Sequence, residues 1–266
     1  MSKVWFITGA SSGFGRLTAE ICLKNGDAVV ATLRKPEVLD DLKAQYPATR
    51  LLVLKLDVKN AQEITDAFSR AKEVFGRLDV VLNNAGTGFV GEIESTPDHM
   101  ARSVVETDFW GAANVSREAV KFFREVNKPV GGRLLTVGSF GGLTALMCAG
   151  YYAAAKHAIE GFTETLAQEL DPDWNIKVTL IEPGWFATAA VTGKATVLPA
   201  HPAYTKPGLP VIAVRSALEN LNDPNNKFGD AEKAAHKFYE LASLSDPPLR
   251  LILDIEKYEA WSSDLL

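Results

Sequence analysis

Cysteine is nearly absent: 266 residues contain two, Cys22 and Cys148, each among apolar or small neighbours. Two such positions read as buried, reduced thiols rather than as a disulfide, which fits a cytoplasmic protein. The four histidines, His99, His157, His201 and His236, are scattered without ligand spacing, so no metal site is expected. No apolar run approaches the roughly 18 residues of a membrane span. Basic excess is lacking too: the formal net charge is −5. That excludes the positively charged face needed for non-specific binding to nucleic acid or to anionic lipid. No signal-peptide pattern precedes the strand-like run at Lys3-Val4-Trp5-Phe6-Ile7. Repeats, low-complexity tracts and long linkers are missing as well. What is present is 47% hydrophobic residues, enough for one large core. A soluble, cytoplasmic, globular protein is expected, with no nucleic-acid or membrane partner.

Short apolar or β-branched runs alternate with helical patterns. Strands are expected at 3–8, 28–33, 50–56, 78–82, 132–138, 175–181 and 249–253. Helices are expected near 13–25, 36–45, 60–75, 97–127, 150–170 and 229–243. Such alternation builds βαβ units, and hence a doubly wound, mostly parallel seven-stranded α/β sheet with helices on both faces. The whole chain, 1–266, is read as a single Rossmann-like domain. One segment, 185–228, breaks the rhythm with Pro199, Pro202, Pro207 and Pro210 among Val191, Val197, Leu198 and Leu209. An irregular insert of that length reads as a lid over a substrate.

The first strand runs into Thr8-Gly9-Ala10-Ser11-Ser12-Gly13-Phe14-Gly15 and then an amphipathic helix. A tight glycine turn leading into a helix N-terminus suits a pyrophosphate, because the backbone approaches closely and the free amides carry positive potential. The spacing is G-x-x-x-G-x-G, not the common G-x-G-x-x-G. The second strand ends in Leu33-Arg34-Lys35, without a carboxylate at its tip. An acid there would bind the ribose 2′-hydroxyl of NAD, whereas Arg34 suits the 2′-phosphate of NADP. Glu37 follows Pro36 at a helix start, where an acid is ordinary capping chemistry.

Two tyrosines, Tyr151 and Tyr152, precede Lys156. Only Tyr152 stands four residues before the lysine and shares its helix face. A free tyrosine has a pKa near 10, and a neighbouring ammonium stabilises the phenolate and suits the pair to acid–base work. The spacing fits an alanine-rich structural helix equally well. Ser139 adds to the chemical reading: it follows the strand at 132–138 and lies at the same sheet edge as the glycine turn, where its hydroxyl can bond a substrate carbonyl.

Together, TGASSGFG at 8–15, NNAG at 83–86, Ser139, Tyr152-x-x-x-Lys156 and PGWFAT at 183–188 resemble the short-chain dehydrogenase/reductase family, in order and spacing, from Lys3 to about Thr188. Within it, VVATLRKPEVLDDL and the ending GDAEKAAHKFYELA look closest to NADP(H)-using oxidoreductases similar to estradiol and retinol dehydrogenases. The resemblance implies that Gly9, Ser11, Ser12, Gly13, Phe14 and Gly15 line the pyrophosphate and adenosine, and that Asp57 and Val58 meet the adenine. It implies that Asn84, Ala85 and Gly86 support the cofactor and the sheet. Lys156 would hold the ribose and tune Tyr152, while Pro183, Gly184, Phe186 and Thr188 would meet the nicotinamide. One position departs: the family's asparagine, part of a water relay to the lysine, is replaced by Asp108 in Thr107-Asp108-Phe109-Trp110-Gly111. A carboxylate there either substitutes for the relay or competes for Lys156. Phe89, Phe140, Leu146, Met147 and Trp185 are expected to form an apolar substrate pocket. Few cations lie in the lid (Lys194, Lys206 and then Arg215), which also favours an uncharged substrate. The expected activity is NADPH-dependent interconversion of a hydrophobic ketone or aldehyde and its alcohol. Three alternatives stay open: an NADP(H)-binding regulator with impaired catalysis, an NAD-dependent alcohol oxidase-direction dehydrogenase, and a ligand-free structural module. The small-residue face at Ala154, Ala158 and Gly161 suggests a homodimer or homotetramer, as relatives often pair that way.

Overall fold

Strand β1 (Val4–Thr8) is apolar almost throughout because both of its faces are covered. Val4 and Phe6 pack into one core cluster, Trp5 and Ile7 into the other. The computed structural model describes residues 2–188, 196–220 and 227–253. Eight further strands follow β1: β2 (Ala28–Leu33), β3 (Leu51–Lys55), β4 (Val80–Asn83), β5 (Phe89–Val90), β6 (Gly132–Val137), β7 (Ile176–Pro183), β8 (Thr196–Val197) and β9 (Arg250–Leu253). Of these nine strands among the described residues, seven form one sheet in the order β3-β2-β1-β4-β6-β7-β9, with every neighbouring pair parallel. The expected seven-stranded doubly wound sheet is present, and each expected strand differs from the observed one by no more than two residues at either end.

The helices lie on both faces. On the Trp5 side pack α1 (Gly13–Lys24) and the helix Ala231–Leu241, through Ala19, Cys22, Ala234 and Phe238. A short helix, α2 (Asp40–Lys43), follows β2. On the Phe6 side lies α3 (Ala61–Phe75), whose N-terminus is capped by the Asn60 side chain. The expected single helix at 97–127 is instead α4 (Asp98–Val105), a π-helical turn at Glu106–Gly111, and α5 (Ala112–Glu125). Gly111 permits that turn to approach Val58, since a Cβ there would stand 2.7 Å from Val58 Cγ2. The longest helix, α6 (Gly150–Glu169), carries Tyr152 and Lys156.

The insert at 185–228 is more regular than its prolines suggest. Within 196–220, β8 pairs with β5 and a 3₁₀ turn spans Pro202–Tyr204. A ten-residue helix then runs over Pro210–Glu219. Pro210 sits in the first helical turn, where its missing N–H costs nothing. Residues 189–195 and 221–226, which include Val191 and Lys194, lie outside the described residues.

Candidate active site

Every strand of the parallel sheet ends at the same edge, so residues far apart in sequence arrive side by side there. Gly9 follows β1, Arg34 follows β2, Asp57 and Val58 follow β3, Asn84 follows β4, Ser139 follows β6 and Gly184 follows β7. The chain winds outward in opposite directions from β1 and β4, which opens a crevice between them.

The glycine turn occupies that crevice. Gly9 and Gly13 have φ of +67° and +54°, a conformation that disfavours side chains. Asn84 and Ala85 brace the turn from β4: both backbone amides donate to Thr8 Oγ1, and the Asn84 side chain donates to Thr8 O at 2.9 Å. Gly15 lies behind the turn rather than on the cavity wall. A Cβ there would stand 2.5 Å from Gly9 O and 2.7 Å from Asn84 Nδ2. The N-terminus of α1 has no side-chain cap and no acid in its first turn. Its amides and dipole therefore fit a bound pyrophosphate. Arg34 is exposed at the rim of the crevice and makes no hydrogen bond or ion pair with any described residue.

Across the crevice, Ser139 Oγ accepts the Gly141 N–H at 3.0 Å, which leaves its own O–H to donate. Gly141 links the serine to the tyrosine, since a Cβ on it would stand 3.2 Å from Tyr152 Cε1. Both tyrosines pack against the cluster of Phe89, Val104 and Ala155, but only Tyr152 borders the cavity. Lys156 is buried, with Nζ 5.7 Å from the centre of the Tyr152 ring and donating to Val137 O at 3.0 Å. Asp108 is buried beside it. Oδ1 accepts the Thr87 N–H at 2.8 Å, and Oδ2 stands 3.6 Å from Lys156 Nζ with no hydrogen-bond donor among the described residues. Burial pushes the Asp108 carboxyl up to about 6, against the pull of the Lys156 charge and the Thr87 amide. For Lys156 burial acts downward, but the negative charges of Asp108, Tyr152 and Glu160 outweigh it and hold the ammonium above its ordinary value.

One continuous cavity of about 730 Å³ contains these groups. Ser11, Ser12, Phe14, Gly86, Pro183 and Thr188 line it along with the residues already placed. The five expected substrate contacts, Phe89, Phe140, Leu146, Met147 and Trp185, all border it as well. Phe186 borders it too, but its ring is chiefly structural: it meets Phe14 edge-on at 5.5 Å and leaves no room for a Cβ on Gly229. Val214 and Leu218, from the helix Pro210–Glu219, complete the apolar wall. The sequence reading missed them by treating that segment as irregular; the signal available was Pro210 followed by apolar residues at i, i+4 spacing.

Residues 3–196 match the family model described as short chain dehydrogenase. An uncharacterized oxidoreductase of Schizosaccharomyces pombe is 36% identical over 253 residues, covering 95% of this chain and 82% of that protein. A 3-ketodihydrosphingosine reductase of Bacteroides thetaiotaomicron is 34% identical over 186 residues, 70% of this chain and 65% of that one. The crystal structure of a short-chain dehydrogenase from Streptomyces avermitilis superposes with a TM-score of 0.84 at 34% identity, covering 100% of this chain and 93% of that chain.

Proposed function

This chain belongs to the short-chain dehydrogenase/reductase family, and from that premise we propose that it is an NADPH-dependent reductase of hydrophobic ketones or aldehydes, also able to oxidise the alcohol in the reverse direction. The observation that carries the reading is that Tyr152, unlike Tyr151, shares one cavity with Ser139 and Lys156. In the proposed reaction the Ser139 O–H bonds the carbonyl oxygen and withdraws electron density from it. Tyr152 gives that oxygen its proton, and in the reverse direction removes it. The Lys156 ammonium stabilises the tyrosinate left behind and holds the ribose hydroxyls. The glycine turn, Lys156 and the segment 183–188 would hold a nicotinamide dinucleotide, which would supply or accept the hydride. Arg34, without a partner among the described residues and with no acid at the tip of β2, supports a 2′-phosphate and hence NADPH over NADH. The apolar wall supports an uncharged substrate, and similarity to a relative named as a 3-ketodihydrosphingosine reductase supports reduction of a ketone on a long apolar chain. A single catalytic domain carrying its own lid, cytoplasmic location and assembly as a homodimer or homotetramer belong to the same proposal.

One second reading has an observation in its favour. Asp108 stands close enough to Lys156 to claim its charge, as in an NADP(H)-binding regulator that turns over nothing. One experiment separates the two. NADPH and NADH affinities are measured by fluorescence titration, and reduction of decanal and acetophenone is followed in the parent, Tyr152→Phe and Tyr151→Phe. We expect tighter NADPH binding in all three proteins. Turnover should fall by about 10²–10⁴-fold in Tyr152→Phe and stay within about threefold in Tyr151→Phe. Equal affinity for the two nucleotides, or an inactive Tyr151→Phe beside an active Tyr152→Phe, sinks the reading. NADPH binding without turnover of any carbonyl in a wider panel favours the regulator.

A further inference from the structure

Arg215 is buried although it belongs to an excursion from the main fold, where arginines are ordinarily solvated. Its guanidinium is turned inward, between two parts of the chain. One Nη donates to the carbonyl of Leu198, just after β8. The other Nη stands 3.6 Å from Glu92 Oε1, and Nε stands 3.4 Å from Glu219. Glu219 is half exposed, whereas Glu92 is 5% exposed, so Glu92 is the counter-charge that shares Arg215's buried environment.

The Glu92 side of this contact is built by the body of the protein. Glu92 follows β5, and its Oε2 accepts the Ser95 O–H at 3.1 Å while its carbonyl accepts Thr96 Oγ1 at 2.8 Å. Burial acts to raise its pKa, but its own amide, Ser95, Arg215 and the His201 amide together hold the carboxyl below the ordinary range. The carboxylate is therefore oriented by Ser95 on the body side and held ionised with Arg215 and the His201 amide in place. Arriving beside it, β8 pairs with β5, the Leu198 N–H donates to Val90 O at 2.8 Å, and the Leu198 side chain covers Gly91 so closely that a Cβ there would stand 2.8 Å from Leu198 Cδ1. One position before Arg215 and three after it on the same helix, Val214 and Leu218 close the apolar end of the cavity.

We propose that Arg215 is a positioning residue: by pairing with Glu92 and bonding Leu198 it locks the helix Pro210–Glu219 in place, so that Val214 and Leu218 form the substrate wall. The substrate part of this statement rests on the function proposed above; the locking of the helix does not. A buried charge left without its partner is strongly unfavourable, so the pair acts as a conditional lock rather than as a general source of stability.

The test uses Arg215→Met, the isosteric Glu92→Gln, and the double variant Glu92→Met/Arg215→Met, with decanal and NADPH as probes. Each single variant should raise the KM for decanal about tenfold or more while kcat and NADPH affinity stay within about twofold. Amide hydrogen exchange across 210–219 should accelerate in both, with the main sheet unchanged. The double variant should recover part of the loss, because no charge is then buried alone. The proposal is overturned if exchange across 210–219 is unchanged in the single variants, or if KM is unchanged, or if kcat and cofactor affinity fall in step with KM. Should the parent reduce no carbonyl at all, the proposed activity fails, and the exchange measurement still decides whether Arg215 locks the helix.

Discussion

Asp108 is the residue at which this chain departs from its family's pattern, and its surroundings give the departure a measurable consequence. Its carboxyl is buried on the π-helical turn, shares Lys156 as its nearest charge and is pushed up to about 6. As pH rises from about 4 to about 6, the unfolded chain has released this proton while the folded protein still holds it. Folding stability therefore falls across that window, by an amount on the order of 3 kcal/mol. Asparagine keeps the acceptor for the Thr87 amide and does not titrate. Urea unfolding of Asp108→Asn between pH 4 and pH 7 should show the parent's loss removed, and an identical slope in the two proteins would refute the assignment. At this scale much was legible: helical spacing separated Tyr152 from Tyr151, and the glycine spacing marked the turn. Which atom Asp108 faces was not, because it depends on one extra residue in a helical turn and on Gly111 meeting Val58.

At the scale of elements, one side chain of β9 adds to its backbone ladder with β7 and ties the strand to α6 as well. Arg250 bonds Glu160 at 2.8 Å and Glu164 at 2.7 Å on α6, and it also bonds Glu182 on β7. Glu160 and Glu182 are both buried, and each keeps one oxygen without a donor among the described residues. Burial, followed by the charge of Glu182, pushes Glu160 up to about 8, and burial raises Glu182 as well. A proton shared by the two carboxyls satisfies both orphan oxygens at neutral pH. Arg250→Met should destabilise the protein by about 3 kcal/mol, since it removes the cation from a buried acidic cluster. The deficit should grow from pH 6 to pH 8, as the remaining proton becomes harder to retain. Chemical denaturation at the two pH values measures this, and a pH-independent deficit would count against the shared proton. None of the cluster could be read from sequence, because Glu160, Glu182 and Arg250 lie on three elements and each looks like an ordinary surface charge.

For the whole molecule, the question is which surface remains for a second copy. Ala154, Ala158 and Gly161 are exposed on α6, and nothing lies within 4 Å of a Cβ placed on Gly161. Nearby, Phe162 meets Phe109 edge-on at 6.3 Å, and Phe109 packs on Trp110, which is 51% exposed. A shallow surface beside an exposed aromatic suits close helix packing between copies. Gly161→Arg should leave folding and NADPH binding unchanged, because the side chain enters open space, while turning an oligomer into monomers. Sedimentation velocity of parent and variant decides this; identical oligomers would move the interface elsewhere, and a monomeric parent would remove it.

The strands, the parallel doubly wound sheet and the sheet edge that carries the motifs were legible in the sequence, because apolar periodicity, glycine turns and helical spacing are local properties that act over a few residues. Four of the five motifs follow a strand, the fifth lies on α6, and a parallel sheet brings strand ends to one edge whatever lies between them. The tertiary structure alone decided which charges are buried and what faces them. Glu160 against Glu182 and Arg215 against Glu92 are contacts between separate elements that the sequence left unmarked, and burial sets their energy, as it does for Asp108 beside Lys156, a pair the family resemblance had already brought together. Burial is a property of the packed molecule, so the same letters in sequence carry no sign of it.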